Sequence, residues 1–417
     1  MRLRVLIAPS GFKESLDAAE VADCIASGVR RAVPDAYLQR APLADGGEGF
    51  ARALVTAVGG SLHPVEVTGP VGETVEAYFG LLDGEDQLTA VLEMSAAAGL
   101  RHVPHDRRDP LVTTTRGVGE LIAAALDTGA TRLLIGCGDS GTNDGGAGMV
   151  QALGGRLLDG SGADLRPGGG ALLDLDRIDL SGLDPRVSAA TLDVACNWAN
   201  VLTGPSGVAR VYGPQKGADA ATVDRLEAAL ERYAEVIEHD VGTDVRRAPG
   251  SGASGGLGAG LSALLGATLH SRFDIITRYL AFDDRLADTD LVITAEGAID
   301  RQTSRGKVPA EVARLAAARD LPVIALTGTV GEGVQAAVDA GLDAYASILS
   351  HPCSLPEALA EARELLISAA EQAMRMLLVG RRLAWQEADA LRAARVVPPP
   401  APAPPPRAVP RPVGSAR

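Results

Sequence analysis

Short apolar runs alternate with Ala-rich stretches of helical period along most of this 417-residue chain. Residues 4–8 (RVLIA) have the pattern of a short buried strand, and residues 15–32 follow with apolar positions three and four apart, which predicts a helix. Near the other end, strand-like runs at 291–294 (LVIT), 323–326 (VIAL) and 345–349 are separated by helical patterns at 309–318 and 333–340. Strand–helix alternation of this kind predicts parallel βαβ units in a three-layer sandwich. The middle of the chain has its own alternation: a strand at 90–93, a helix at 119–128, a strand at 132–135 and a long helix at 221–238. The expected architecture is therefore α/β. A Rossmann-like domain is built from both chain ends, residues 1–70 with 283–380, and a second α/β domain, residues 71–282, is inserted between them. Residues 381–417 read as a Pro/Arg-rich tail that cannot bury a core, because VVPPPAPAPPPRAVPRPVGSAR has a polyproline composition.

Charge narrows the partners. The net charge is −14, while the tail alone holds seven Arg against Glu387 and Asp389. An acidic body argues against binding of nucleic acid or an anionic membrane surface, which needs an excess of base. No run of 18 apolar residues predicts a membrane span. The four cysteines are far apart and form no CxxC pair, as expected of reduced thiols in a cytoplasmic protein.

The basic residues carry the sharpest signal. Of 39, only Lys13, Lys216 and Lys307 are lysines. Against so strong a preference for arginine, the retained lysines mark positions where a compact ammonium is needed and a planar fork will not serve. All three sit beside glycines, which suits an anionic group such as a phosphate or carboxylate.

Four glycine-rich loops accompany them. The longest, GCGDSGTNDGGAG (136–148), follows the strand at 132–135. It satisfies GxGxxG by letter, but it continues through Thr142, Asn143, Asp144, Gly145 and Gly146, so no helix opens at its third glycine as nicotinamide dinucleotide binding requires. Ser140, Gly141 and their neighbours offer backbone N–H groups, hydroxyls and carboxylates for phosphates and a hydrated Mg²⁺. The second loop is DGGEG, in which Asp45 and Glu48 could grip a metal or hold a substrate hydroxyl and take its proton. The third is PGSGASGGLGAG (249–260), a candidate cleft or hinge. The fourth, TAEGAIDRQTSRGK (294–307), follows a predicted parallel strand and collects Glu296, Asp300 and Lys307 where such sheets bind ligands. HExxH and GxxxxGK[ST] are absent, which removes the signatures of zinc hydrolases and P-loop enzymes. Lysines and loop carboxylates on an α/β scaffold fit phosphoryl transfer, where catalysis is positioning and charge neutralisation.

Taken together, RVLIAPSGFKESL (4–16), PLADGGEG (42–49), LEMSAAAGL (92–100), TTTRGVGELI (113–122), GTNDGGAGM (141–149), GPQKGA (213–218), SGGLGAGL (254–261) and VITAEGAIDRQTSRGK (292–307) resemble the two-domain bacterial glycerate kinases. The resemblance implies phosphorylation of D-glycerate by ATP and Mg²⁺, with 2-phosphoglycerate favoured over 3-phosphoglycerate, in a cleft between the two domains. On the loop chemistry above, Asp45, Lys13 and Lys216 are the candidate catalytic residues and Asp144 and Glu296 the candidate Mg²⁺ ligands. Glu48, Ser140, Gly141, Thr142, Asn143, Gly145, Gly146, Asn197, Asp300 and Lys307 are then expected to bind substrate or nucleotide, and an oligomer is allowed. The sequence departs from the family pattern at Ser10, at Asp139 and Gly141, at Asn197 and at Ala298. These departures keep open a kinase for another small hydroxy acid; an NAD-dependent oxidoreductase is the weaker alternative.

Overall fold

The structure, a computed structural model, describes residues 2–12, 15–43, 46–84, 87–300, 303 and 307–395, with side chains up to residue 387. The chain opens with β1 (Arg4–Ile7), whose three buried residues are all apolar, and the helix Ala18–Ala32. That helix starts at Ala18 because Asp17 and Glu20 form a reciprocal capping box, closing the chain three residues later than the apolar period suggests. After β2 (Tyr37–Arg40) and the helix Phe50–Val58, the chain enters a second sheet: β3 (Gly60–Thr68), β4 (Thr74–Leu82), β5 (Thr89–Glu93) and β6 (Arg132–Gly136). An antiparallel ribbon of β7 (Arg156–Asp159) and β8 (Leu175–Asp179) stands apart from it. Then β9 (Thr191–Cys196) and β10 (Thr268–Ser271) complete the second sheet. Finally β11 (Leu291–Ile299), β12 (Val323–Val330) and β13 (Ala344–Ser347) return to the first.

The first sheet has the order β13-β12-β11-β1-β2, and every pair is parallel. This is a doubly wound arrangement whose direction reverses between β1 and β11. The second sheet, β10-β9-β6-β5-β4-β3, is parallel from β10 to β5 and antiparallel at β4 and β3. The central parallel strands β5 and β6 are buried on both faces, which is why they read as unbroken apolar runs. The half-exposed β3 and β4 alternate instead.

The burial pattern joins the sheets. Ala90, Leu92, Leu133, Ile135, Leu192 and Val194 face one core, with the helices around Leu121 and Leu230. The intervening Val91, Leu134 and Ala195 face a second core that also takes Leu6 and Ala8 of β1 with its neighbour, Val292 of β11 and Phe50 and Leu54 of the helix between the sheets. Residues 1–372 accordingly form one compact unit, and Ala373–Arg417 a second. Residues 381–395, expected within the tail, are instead helical, as the end of the helix Leu355–Arg395. Ala is a strong helix former, and the Ala-rich sequence carries the helix up to the prolines. Among the described residues, no helix is long and apolar enough to cross a membrane.

One helix contact in the first unit depends on a missing side chain. A Cβ on Gly28 would lie 2.3 Å from the carbonyl oxygen of Ile367 and 2.7 Å from the Ala370 Cβ. Gly28→Ala should therefore cost about 1–3 kcal/mol by overpacking, read as a lower urea midpoint at unchanged m-value.

Candidate active site

The parallel strands of the second sheet end side by side, with Glu93 opposite Gly136 and Gly136 opposite Ala195. The Cys137 N–H continues the ladder to Ala195 O at 2.9 Å. The segment starting at Gly46 lies across these strand ends. A Cβ on Gly46 would stand 3.1 Å from Ala195 O, and one on Gly138 would stand 2.6 Å from the Gly47 Cα. Backbone meets backbone here, so the glycines of both motifs are steric requirements. Next to them Asp139 adopts φ +48°, a left-handed conformation that Asp tolerates better than most residues. Its carboxylate accepts the Glu48 N–H at 3.1 Å, and its carbonyl accepts the Leu100 N–H at 2.9 Å. The Glu48 carboxylate pairs with Arg101.

Beyond Asp139 the long loop turns inward. Ser140, Thr142, Asn143 and Asp144 are all buried, and Lys216 is buried against them. The Lys216 ammonium donates to Ser140 Oγ at 2.8 Å and to Thr142 O at 2.6 Å. Burial lowers its pKa to about 7, and the Asp144 charge opposes that fall. The Thr142 hydroxyl and the Asn143 amide have no hydrogen-bond partner among the described residues. The cleft-lining segment predicted at 249–260 packs on the same loop. Ser254, Gly255 and Gly256 run left-handed at φ 52°, 74° and 88°. A Cβ on Gly255 would fall 2.0 Å from Thr142 O.

Asp144, expected as a Mg²⁺ ligand, is held by protein donors. One oxygen accepts the Thr115 N–H at 2.8 Å, the Thr115 hydroxyl at 2.9 Å and the Gly148 N–H at 3.2 Å; the other accepts the Gly146 N–H at 3.2 Å. This fully buried carboxylate, with four protein donors, anchors two helix starts. Gly145 and Gly146 likewise serve packing. A Cβ on Gly145 would lie 2.5 Å from the Tyr233 ring, whose hydroxyl donates to Gly145 O at 3.0 Å. Gly141 is held from both sides, its N–H on Ala98 O at 2.9 Å and its carbonyl on the Thr113 hydroxyl at 3.0 Å. Asn197, at the end of β9, spends its Oδ1 on the Ala199 N–H at 3.0 Å.

A second group lies at the reversal point of the first sheet. Beside β1, the Ser10 N–H and hydroxyl both donate to Ala295 O, at 2.8 Å and 3.1 Å. Along β11 and the turn after it, Lys307 Nζ stands 3.5 Å from Glu296 Oε1 and 3.7 Å from Asp300 Oδ1. The two groups are linked by the chain. The Leu43 N–H bonds Pro9 O at 2.8 Å on the first sheet, and Gly46 rests on the second. Three residues span at most about 11 Å, so the carboxyl ends of the sheets converge. Lys13 and Asp45 lie outside the described residues.

The structure leaves no dinucleotide motif. The helix after the GxGxxG letters begins only at Ala147. Sequence reasoning passed over three contributors: Glu93, whose carboxylate holds the start of the helix Phe50–Val58; Asp139; and Thr115. Only Glu93 left a trace, as an ionisable residue closing an apolar run.

Comparison with known proteins agrees with this geometry. The sequence model of the Glycerate kinase family matches residues 5–378. A glycerate kinase of Bacillus subtilis (strain 168) is 49% identical over 87% of this chain and 94% of its own. A glycerate 2-kinase of Escherichia coli (strain K12) is 46% identical over 91% and 99%. The crystal structure of a Salmonella typhimurium LT2 protein described as glycerate kinase 2 superposes with a TM-score of 0.80 at 47% identity, covering 91% of this chain and 100% of that one. Fold, loops and relatives together define an ATP-using kinase. The chain belongs to the glycerate kinase family.

Lys216 yields a pH prediction. Its folded pKa lies below its unfolded value of about 10.5, so the unfolded chain binds more protons between pH 7 and 10.5. The stability contributed by this group therefore rises with pH across that window. Urea unfolding from pH 7 to 9.5 should show a steeper rise in wild type than in Lys216→Met, and equal slopes would contradict the buried ammonium.

Proposed function

We propose that the protein transfers the γ-phosphoryl group of ATP to D-glycerate, giving 2-phosphoglycerate. The observation that carries this reading is the convergence of the glycine loops of both sheets through the Leu43–Gly46 connection, in a member of this family. The position of phosphorylation is taken from the E. coli relative, a glycerate 2-kinase. The two sheets act as two lobes, one built from the chain ends and one from the middle, with the reaction between their carboxyl edges.

The nucleotide phosphates belong at the reversal point of the first sheet, where doubly wound sheets bind ligands, with Lys307 as their counter-charge. The residues there suit Mg²⁺, which keeps most of its waters and takes one or two carboxylates along with substrate phosphates; Glu296 and Asp300 would hold it. When bound, the ion neutralises charge on the transferring group. Glycerate belongs at the second sheet, against the 46–49 backbone and Ser140. Lys216 fixes Ser140 and Thr142 from below, so its role is to set the loop that receives the acid. Asp45 and Lys13 remain candidates on their motifs, Asp45 as the group that accepts the hydroxyl proton.

The test is ADP release from ATP and Mg²⁺ with D-glycerate, and phosphorus NMR of the product. Turnover with a 2-phosphate signal is expected; a 3-phosphate signal would overturn the position alone. Absence of glycerate-dependent ADP release, from a folded protein that binds ATP, would overturn the reading. Lys307→Met should raise the KM for ATP about tenfold, the loss of one charge-assisted contact, while the KM for glycerate stays within about twofold.

A further inference from the structure

We infer that Glu93 is a positioning residue for the acceptor, fixing the 46–49 segment from beneath through the first turn of the helix Phe50–Val58. The inference rests on the reading that this segment receives glycerate.

Glu93 ends β5 and is entirely buried. Its carboxylate accepts the Gly49 N–H at 3.1 Å, the Ala51 N–H at 3.0 Å and the Tyr78 hydroxyl at 2.8 Å. Burying a carboxylate is costly, and an apolar residue would fill the end of this strand without that cost. The chain keeps the charge where a helix lacks its own cap. The N-cap of Phe50–Val58 is Gly49, at φ +83° and without a side chain to bond the free N–H groups. Glycine is needed there for the left-handed turn, so the cap comes from a neighbouring strand. Asp139 takes the next N–H along, that of Glu48. The segment is thus pinned at residues 48, 49 and 51 by two carboxylates, the buried one of Glu93 and the exposed one of Asp139.

The clamp needs the ionised carboxylate. An ionised carboxylate accepts all three bonds, whereas a protonated one has lost acceptor capacity and can place its new proton on the Tyr78 oxygen only by reversing that bond. The charged and titratable groups facing Glu93 are Tyr78 on β4 and Arg101 beyond the end of β5; the helix start adds its positive dipole end. Burial pushes the Glu93 pKa up, and the Ala51, Tyr78 and Gly49 bonds pull it back. Releasing the clamp by protonation gives an acid limb in turnover that is governed by this group.

Kinetics of the intact enzyme with ATP, Mg²⁺ and D-glycerate test it. Glu93→Gln keeps one acceptor oxygen and loses the second. It should lower kcat/KM for glycerate by about tenfold or more, leave the KM for ATP within about twofold, and flatten the acid limb. Tyr78→Phe removes a bond that favours the charged form, so the limb should move to higher pH with a smaller loss of rate. Should the first variant fail to fold, the second decides. Wild-type pH profiles and glycerate kinetics in the folded variants would overturn the inference. A wild-type enzyme without glycerate-dependent turnover would instead overturn the reading beneath it.

Discussion

The contact on which the site depends is that of Gly47 with Gly138, where two backbones approach closer than any side chain permits. Around it the second sheet ends in three parallel strands whose last residues are in register. The strand ends supply a flat row of backbone groups. The segment from Gly46 can lie on that row only because Gly136 and Gly138 present no Cβ to Gly46 and Gly47. With that approach in place, the same segment reaches from the edge of one sheet to the edge of the other.

Three buried ionisable groups then hold the loops from below, and each is matched to backbone atoms. Lys216 takes Thr142 O as well as Ser140; Asp144 takes the N–H groups of Thr115, Gly146 and Gly148; Glu93 takes those of Gly49 and Ala51. A charge removed from water in this way is costly to leave unpaired, so each tolerates few alternative loop geometries. The molecule uses buried charge for position, while Lys307, Glu296 and Asp300 keep partly exposed charge at the other sheet.

Much of this was legible in the sequence, for physical reasons. Strands β1, β5, β6, β11 and β12 are buried on both faces along most of their length and so read as apolar runs; β2 (YLQR) and β10 (TLHS) are partly exposed and do not. The scarcity of lysine points to anions at Lys216 and Lys307; Lys216 donates to a hydroxyl and a carbonyl of the long loop, and Lys307 stands between two carboxylates. For Asp144 the motif gives the residue but not the four donors that converge on it from residues 115 to 148. Asp139 could not be foreseen as a clamp: its partner is 91 positions away, and its backbone is left-handed. The helix continuing to Arg395 follows from local alanine content, which the nearby prolines obscured.

The core shared by Leu6, Leu134, Ala195 and Val292 has a consequence for how such a molecule can change. A middle segment with its own sheet looks like a cassette that could be swapped between relatives. Here one face of that sheet is the floor of its host's core, so a foreign cassette would have to match Val91, Leu134 and Ala195 in shape against the helix Phe50–Val58. The two halves are bound to vary together, residue against residue, and modular exchange is closed to them.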